Sequence, residues 1–472
     1  MGSPPKRSHY DAVVIGCGMA GLAAAIRLAM FDRSVLVVES HNAPGGLNSF
    51  YALQGRKFDV GLHAVTNFVP PGARGTPLGK LLRQLRIPRE ALDLSEQVSS
   101  RIAFPGVDLR FRNGFRELAE SVAAAFPEEI DGFTRLRDHV AAYDPFDAGL
   151  EVRSTRSVLQ AFIRSPLLTD MILCPLLYYG SARENDIDFD QFVILWRSIF
   201  EEGFGRPLEG VRVVIRALLD RARATGVERR MKCGVRHLHS DGSRITAVEL
   251  EDGYTVTADR IISTAGAPET ALLCGETAAP EAGPRLSFVE TITVFDGQPK
   301  NFGAEETIIF FNAAPTFAYE RPADPVDLRS GVICFPNNYE YGAERQLEEG
   351  FFRVTALANY AYWKGLDEAT YRSEKEAWYR RMQSAATAFL PGFDWAGVEA
   401  KRRFVDMFTP RTVEKFTRHL DGAVYGSPVK TRDGTTAFGN LFLAGTDQGF
   451  LGITGAMLSG ISMANRHVLA GG

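Results

Sequence analysis

The stretch Tyr10 to Ser40, "YDAVVIGCGMAGLAAAIRLAMFDRSVLVVES", decides the fold. An apolar β-branched run leads into Gly16, Gly18 and Gly21, an Ala/Leu-rich run follows, and a second apolar run ends at Glu39 and Ser40. Glycines at this spacing between a strand and a helix predict a βαβ unit that binds a dinucleotide. Gly16 permits the tight turn, Gly18 lets backbone approach a pyrophosphate, and Gly21 lets helix and strand pack closely. Met19 and Ala20 then lie in the first helical turn, where unpaired N–H groups and the positive end of the helix face the phosphates. Glu39 stands 18 residues beyond Gly21, placed to accept hydrogen bonds from a ribose diol.

The chain around this unit has 472 residues, beyond the roughly 250 to 300 at which single cores stop growing, so two domains are expected. Hydrophobic residues make up 45% and charged residues 23%, with a net charge of -4, which gives no global reason to expect nucleic acid binding. Cys17, Cys174, Cys233, Cys274 and Cys334 are scattered without a CxxC pair, so neither a zinc site nor a disulfide framework is expected. The start "MGSPPKRSHY" has no apolar core and no run reaches 18 apolar residues. The expectation is a cytoplasmic protein, soluble or peripheral to a membrane.

Farther along, residues 211 to 224 carry apolar positions at helical spacing, Gly226 ends that helix, and three short strand-like segments follow across "DGS" and "EDG" turns. "RIISTAG" then returns the chain to the nucleotide sheet. Residues 81 to 204 read as mostly helical, and residues 276 to 424 as a second region whose segments "FVETITVFDG", "ETIIFFNAA", "GVICFP" and "FFRVTALANYAYW" alternate like an antiparallel sheet. The close, "GNLFLAGTDQGFLGITGAMLSGISMANRHVL", is again strand, glycine-rich turn and helix. The predicted fold class is α/β. A discontinuous Rossmann-type domain (residues 1–80, 205–275 and 425–472) is interrupted by a helical part (81–204) and an α+β substrate domain with an antiparallel sheet (276–424).

Several motifs together resemble a known family. "APGGLNSF" puts the pair Gly45 and Gly46 six residues after Glu39, which resembles the extension of FAD enzymes of the amine oxidase and carotenoid desaturase type. "FDVG" at 58–61, "RPLEG" at 206–210, "TPRTVEKFTRHLDGAVYG" and "LFLAGTDQGFLGITGAMLSG" extend it to the phytoene desaturases, carotenoid cis-trans isomerases and retinol saturases. The resemblance implies FAD and a long apolar isoprenoid polyene as substrate, with hydride transfer between a substrate carbon and flavin N5. By the same resemblance Gly16, Gly18, Gly21 and Glu39 hold the adenosine half, and Gly45 and Gly46 lie beside the pyrophosphate and ribityl chain. Backbone at Val235 meets the adenine, Gly445 and Asp447 touch the ribityl chain and diphosphate, and Gly455, Ala456 and Met457 open a last helix aimed at the flavin's pyrimidine edge. A helix N-terminus there stabilises negative charge near N1. Desaturases usually carry arginine where this chain has Leu47, and a proline that "GFLGITG" lacks; both departures lean toward saturases and isomerases. Without a second nicotinamide fingerprint, the electron partner is a quinone, oxygen or an external reductase.

Hydride transfer to or from a hydrocarbon needs geometry and a dry pocket more than a side-chain base. His63, in "GLHAVTNF", is the one tentative catalytic candidate, as proton donor or polar anchor, against a packing role. The runs "LLTDMILCPLLYYG" and "DQFVILWRSIF" read either as a tunnel lining or as helical core. Arg153, Arg156 and Arg164 read either as a membrane-seating patch or as a solvated face. His237 and His239 are expected on an exposed turn. Two other readings stay open: a flavin amine oxidase or fatty acid isomerase, and a non-catalytic escort that binds prenyl groups.

Overall fold

A computed structural model describes residues 4–61, 64–146, 151–276 and 285–470. The opening unit folds as strand β1 (His9–Ile15), helix α1 (Met19–Ala29) and strand β2 (Val35–Glu39). β1 lies between β2 and the strand Thr255–Ser263, both parallel to it, so "RIIS" does return to this sheet. Glu228–Met231 and Leu441–Leu443 add parallel strands, and Ile245–Leu250 and Val235–Ser240 continue it antiparallel beyond Thr255–Ser263. Ala12 and Val14 pack under α1, Val211–Ala224 and the last helix, whereas Val13 and Ile15 pack against Leu238, Val248 and Val256. A strand buried on both faces has no polar alternation, which is why "AVVI" is apolar throughout.

The second sheet runs in the order Arg402–Phe408, Ser287–Phe295, Gly350–Ala358, Ser330–Cys334, Ile308–Asn312, Ser100–Phe104, Val107–Phe111. It is antiparallel apart from the parallel pair Ile308–Asn312 with Ser100–Phe104. One boundary of the sequence reading is corrected here. The hairpin 100–111 falls inside the stretch read as mostly helical, yet it completes the substrate sheet, because Ile102 and Leu109 bury on its core face with Phe310. The remainder of that stretch is helical, including Arg116–Ala125, Ile130–Ala142, Pro166–Gly180 and Phe189–Trp196. These helices cover one face of the sheet, and Glu368–Thr387 covers the other through Trp378, Met382 and Ala386.

Two arginines of the basic segment also make contacts within the fold. The Arg156 guanidinium meets Asp170 at 2.7 Å and donates to the Asn185 carbonyl, while Arg153 lies 5.1 Å from the Phe189 ring centroid. Both side chains brace the helical layer. His237 and His239 sit on the strand Val235–Ser240 instead of a turn, with His239 3.0 Å from Glu249. Among the described residues, no helix is long and apolar enough to cross a membrane.

Candidate functional site

A single cavity of about 980 Å³ runs from the β1–α1 turn to the face of the second sheet. At its first end the strand-to-helix turn is drawn tight: Gly16 N–H donates to the Val38 carbonyl and Cys17 N–H to the Glu39 carboxylate, both at 2.8 Å. Gly21 is packed so closely that a Cβ would lie 2.0 Å from the Gly16 carbonyl oxygen. At Gly18, by contrast, an added Cβ would meet nothing nearer than 3.9 Å. Protein packing therefore explains Gly21. Gly18 borders open cavity, where only a bound group would need the missing side chain.

Two helices begin at this cavity without a side-chain cap, α1 after Gly18 and Gly452–Ala464 after Leu451. Their unpaired N–H groups and positive ends face one space, a pair of sites for negative charge. A third helix nearby, Ala267–Leu273, is treated differently: its first N–H donates to the Asp447 carboxylate at 2.6 Å. The uncapped ends and the glycine wall at Gly18 and Gly46 fit a dinucleotide with a pyrophosphate and a second electron-accepting ring. Glu39 and Ser40 line the cavity beside Val235, and the Glu39 carboxylate accepts from Cys17 N–H, His41 N–H and the Ser40 hydroxyl.

Of the residues singled out in the sequence, Gly16, Gly18, Met19, Ala20, Glu39, Ser40, Gly45, Gly46, Leu47, Val235, Gly445 and Ala456 line this cavity. Four do not. Gly21 does its work in packing. Asp447 is 1% exposed and spends its carboxylate on the N–H groups of Ala267 and Ser427, so it ties three segments together and the neighbouring Thr446 faces the cavity instead. The last helix starts at Gly452, three residues before Gly455, so its open end is formed by Gly452 and Ile453. Met457, one turn farther in, belongs to the core. His63 lies outside the described residues.

Sequence reading missed one long wall of the site. "TPRTVEKFTRHLDGAVYG" contributes Thr412, Val413, Phe416, Arg418, His419 and Tyr425, running from beside Val235 to the second sheet. The segment holds this course through a Thr409/Thr412 capping box and a left-handed Arg418 at φ 62°. Its distinctive pattern was visible in the sequence, but no chemistry attached to any single residue. Of the two aromatic runs, Tyr178 and Tyr179 reach the cavity, whereas Phe192, Trp196 and Phe200 are core.

Beside the cavity lies a buried charged network. Asp59 of "FDVG" accepts from Arg206 of "RPLEG" at 2.5 Å and from Val211 N–H at 3.1 Å. Arg353 donates to Glu290 and, at 3.0 Å, to the Asp59 carbonyl. The Tyr51 hydroxyl donates to Asp406 at 2.8 Å, and burial, then the carboxylate, push its pKa well above the usual phenol range. Burial draws the Lys430 ammonium down to about 8, against the pull of Asp447 and Asp188.

Comparison with known proteins agrees with this geometry. Residues 19–467 match the family model of flavin containing amine oxidoreductases; the chain belongs to that family of FAD-dependent oxidoreductases, and FAD is its cofactor. The prolycopene isomerase of Arabidopsis thaliana chloroplasts is 26% identical over 290 residues, 55% of this chain and 48% of that protein. The lycopene-forming phytoene desaturase of a Paracoccus species is 25% identical over 279 residues, 53% of this chain and 54% of that protein. The chain thus spans about half the length of the curated relatives it matches. An oxidoreductase from Methanosarcina mazei shares the fold, with TM-score 0.65 at 15% identity over 96% of this chain and 100% of the other.

Proposed function

We propose that the protein oxidises, reduces or isomerises a long apolar isoprenoid polyene at the FAD. The observation that carries this reading is the wall beyond the cofactor cradle, where Phe288, Val332, Phe408 and Val424 make an apolar surface. FAD, when bound, supplies a two-electron acceptor or donor. The chain's own residues supply orientation and exclusion of water, which is what hydride exchange with a hydrocarbon carbon requires. Leu53, Leu272 and Phe416 are exposed and line the same cavity, an apolar approach for a substrate arriving from lipid.

The amine oxidase reading draws on Tyr178, Tyr179 and Tyr425. Two of these hydroxyls are turned into the protein: Tyr178 bonds Ser330 at 2.9 Å and Tyr425 bonds the Tyr178 carbonyl. At these two positions an amine would therefore meet ring faces without their hydroxyls. The test is anaerobic incubation of the purified flavoprotein with phytoene, lycopene isomers and retinol while flavin absorbance and product spectra are followed. Bleaching by a saturated polyene indicates desaturation; turnover only by pre-reduced enzyme indicates saturation or isomerisation, the direction Leu47 and "GFLGITG" favour. If no polyene perturbs the flavin, the substrate class is wrong.

A further inference from the structure

A second pocket, of about 50 Å³, borders the Asp59–Arg206 clamp and has no lining residue in common with the large cavity. Four of its residues are cations, Lys57, Arg206, Arg212 and Arg353, and two are carboxylates, Asp59 and Glu209. Both carboxylates are engaged. Asp59 accepts from Arg206 and from Val211 N–H, and Glu209 meets Arg216, which stands outside the pocket, at 3.0 Å. The opposite wall is apolar, with Phe58 from the strand Arg56–Asp59 and Ile292 and Phe351 from the substrate sheet.

Two guanidinium groups here keep donors without acceptors. Arg206 is 5% exposed and donates through its terminal nitrogens to Asp59, the Pro207 carbonyl and the Tyr341 hydroxyl, but its buried Nε–H has no acceptor. Arg212 is half-buried, and among the described residues it makes neither a hydrogen bond nor an ion pair; the Phe50 ring centroid lies 5.9 Å away. Burial draws its pKa down against the pull of Asp59 and Glu209, so enclosing this charge is only partly compensated. A guanidinium stays protonated all the same, and its planar fork matches the oxygens of a carboxylate or phosphate. One water takes about 10 to 15 Å³ of such space, so the pocket offers roughly four positions, enough for one oxyanion and too few for a nucleotide.

We propose that this pocket binds a small oxyanion, a phosphate or carboxylate group held by Arg212 and Arg206 with Lys57 at the exposed rim. The bound group lies between the first turn of the helix Val211–Ala224 and the substrate sheet, and so joins the two parts of the molecule apart from the flavin cavity. The recognising chemistry is the same for a free ion and for the phosphate of a lipid head, and the experiment separates these sources.

The test is calorimetric titration of the FAD-bound protein with phosphate and with acetate at constant ionic strength, while flavin absorbance is followed. At least one anion is expected to bind saturably, at one site per chain, with the flavin spectrum unchanged. Arg212→Gln should weaken that binding roughly tenfold or more, the scale of one charge-assisted hydrogen bond. Lys57→Gln, at the exposed rim, should weaken it less and keeps the test open if the first variant does not fold. Absence of saturable binding by both anions, or full affinity in both variants, would overturn the proposal. A flavin spectrum that shifts in step with the anion would overturn it too, by placing the anion in the large cavity. Vesicles of phosphatidylcholine containing phosphatidic acid then identify the source. Cosedimentation that Arg212→Gln abolishes assigns a lipid head, and phosphate binding without cosedimentation assigns a free ion.

Discussion

Gly18 and Gly21 stand three residues apart in one fingerprint, yet the structure gives them opposite reasons for having no side chain. At Gly21 the reason is the protein itself, since a Cβ would collide with the Gly16 carbonyl at 2.0 Å. At Gly18 the backbone is extended, φ -78° and ψ -174°, and the nearest atoms to an added Cβ are at 3.9 Å. Gly21→Ala should therefore lower the thermal stability of the protein stripped of FAD, by about 1 to 3 kcal/mol if overpacking is the cause. Gly18→Ala should leave that apo stability within about 0.5 kcal/mol while weakening FAD binding, read as flavin content and dissociation. Equal effects of the two substitutions on apo stability would contradict this division. The fingerprint was fully legible in the sequence. The division between a glycine that serves the ligand and one that serves the chain was legible too, and the structure adds the distances that separate them.

Elements show the same division. "FDVG" and "RPLEG" looked like separate family marks about 150 residues apart. In the folded chain they are two halves of one clamp: Asp59 pairs with Arg206, accepts the first N–H of the helix Val211–Ala224, and lies so close to Gly210 that a Cβ there would be 2.1 Å away. Both charges are buried. Removing one partner leaves the other uncompensated, which costs about 3 to 5 kcal/mol. Asp59→Asn should show that loss in denaturant unfolding, and adding Arg206→Met should recover part of it. A double variant no better than the single would show that the pair is not the source. The helices and strands were readable from periodicity, whereas the hairpin 100–111 was submerged in helical surroundings. Its strands are short, and only their partner Ile308–Asn312, some 200 residues on, makes them part of a sheet.

Across the whole molecule, the cavity joins the nucleotide sheet to the substrate sheet, and its walls come from segments spread from Ile15 to Ala456. A ligand that fills it connects parts which otherwise meet only through their own packing. FAD should accordingly act as a stabiliser of the entire chain, adding about 1.4 kcal/mol for each tenfold excess over its Kd. Titrating FAD into the stripped protein should raise the unfolding midpoint continuously with the logarithm of FAD concentration and sharpen the transition. A midpoint indifferent to FAD would mean the cofactor does not bridge the two parts.

What the sequence determined by itself was local or repetitive: the βαβ unit, the class of cofactor, the alternating strands and the motifs that carry the family resemblance. These follow from spacing along the chain, because turns, helical periods and phosphate-binding glycines act within a few residues. Tertiary structure alone decided that Asp447 is a tie between segments, that the last helix opens at Gly452, and that Lys57 and Arg212 line one small pocket. Each of these depends on register between strands or on partners far apart in sequence. A side chain's chemistry is set by its neighbours in space, and the order of residues does not record them.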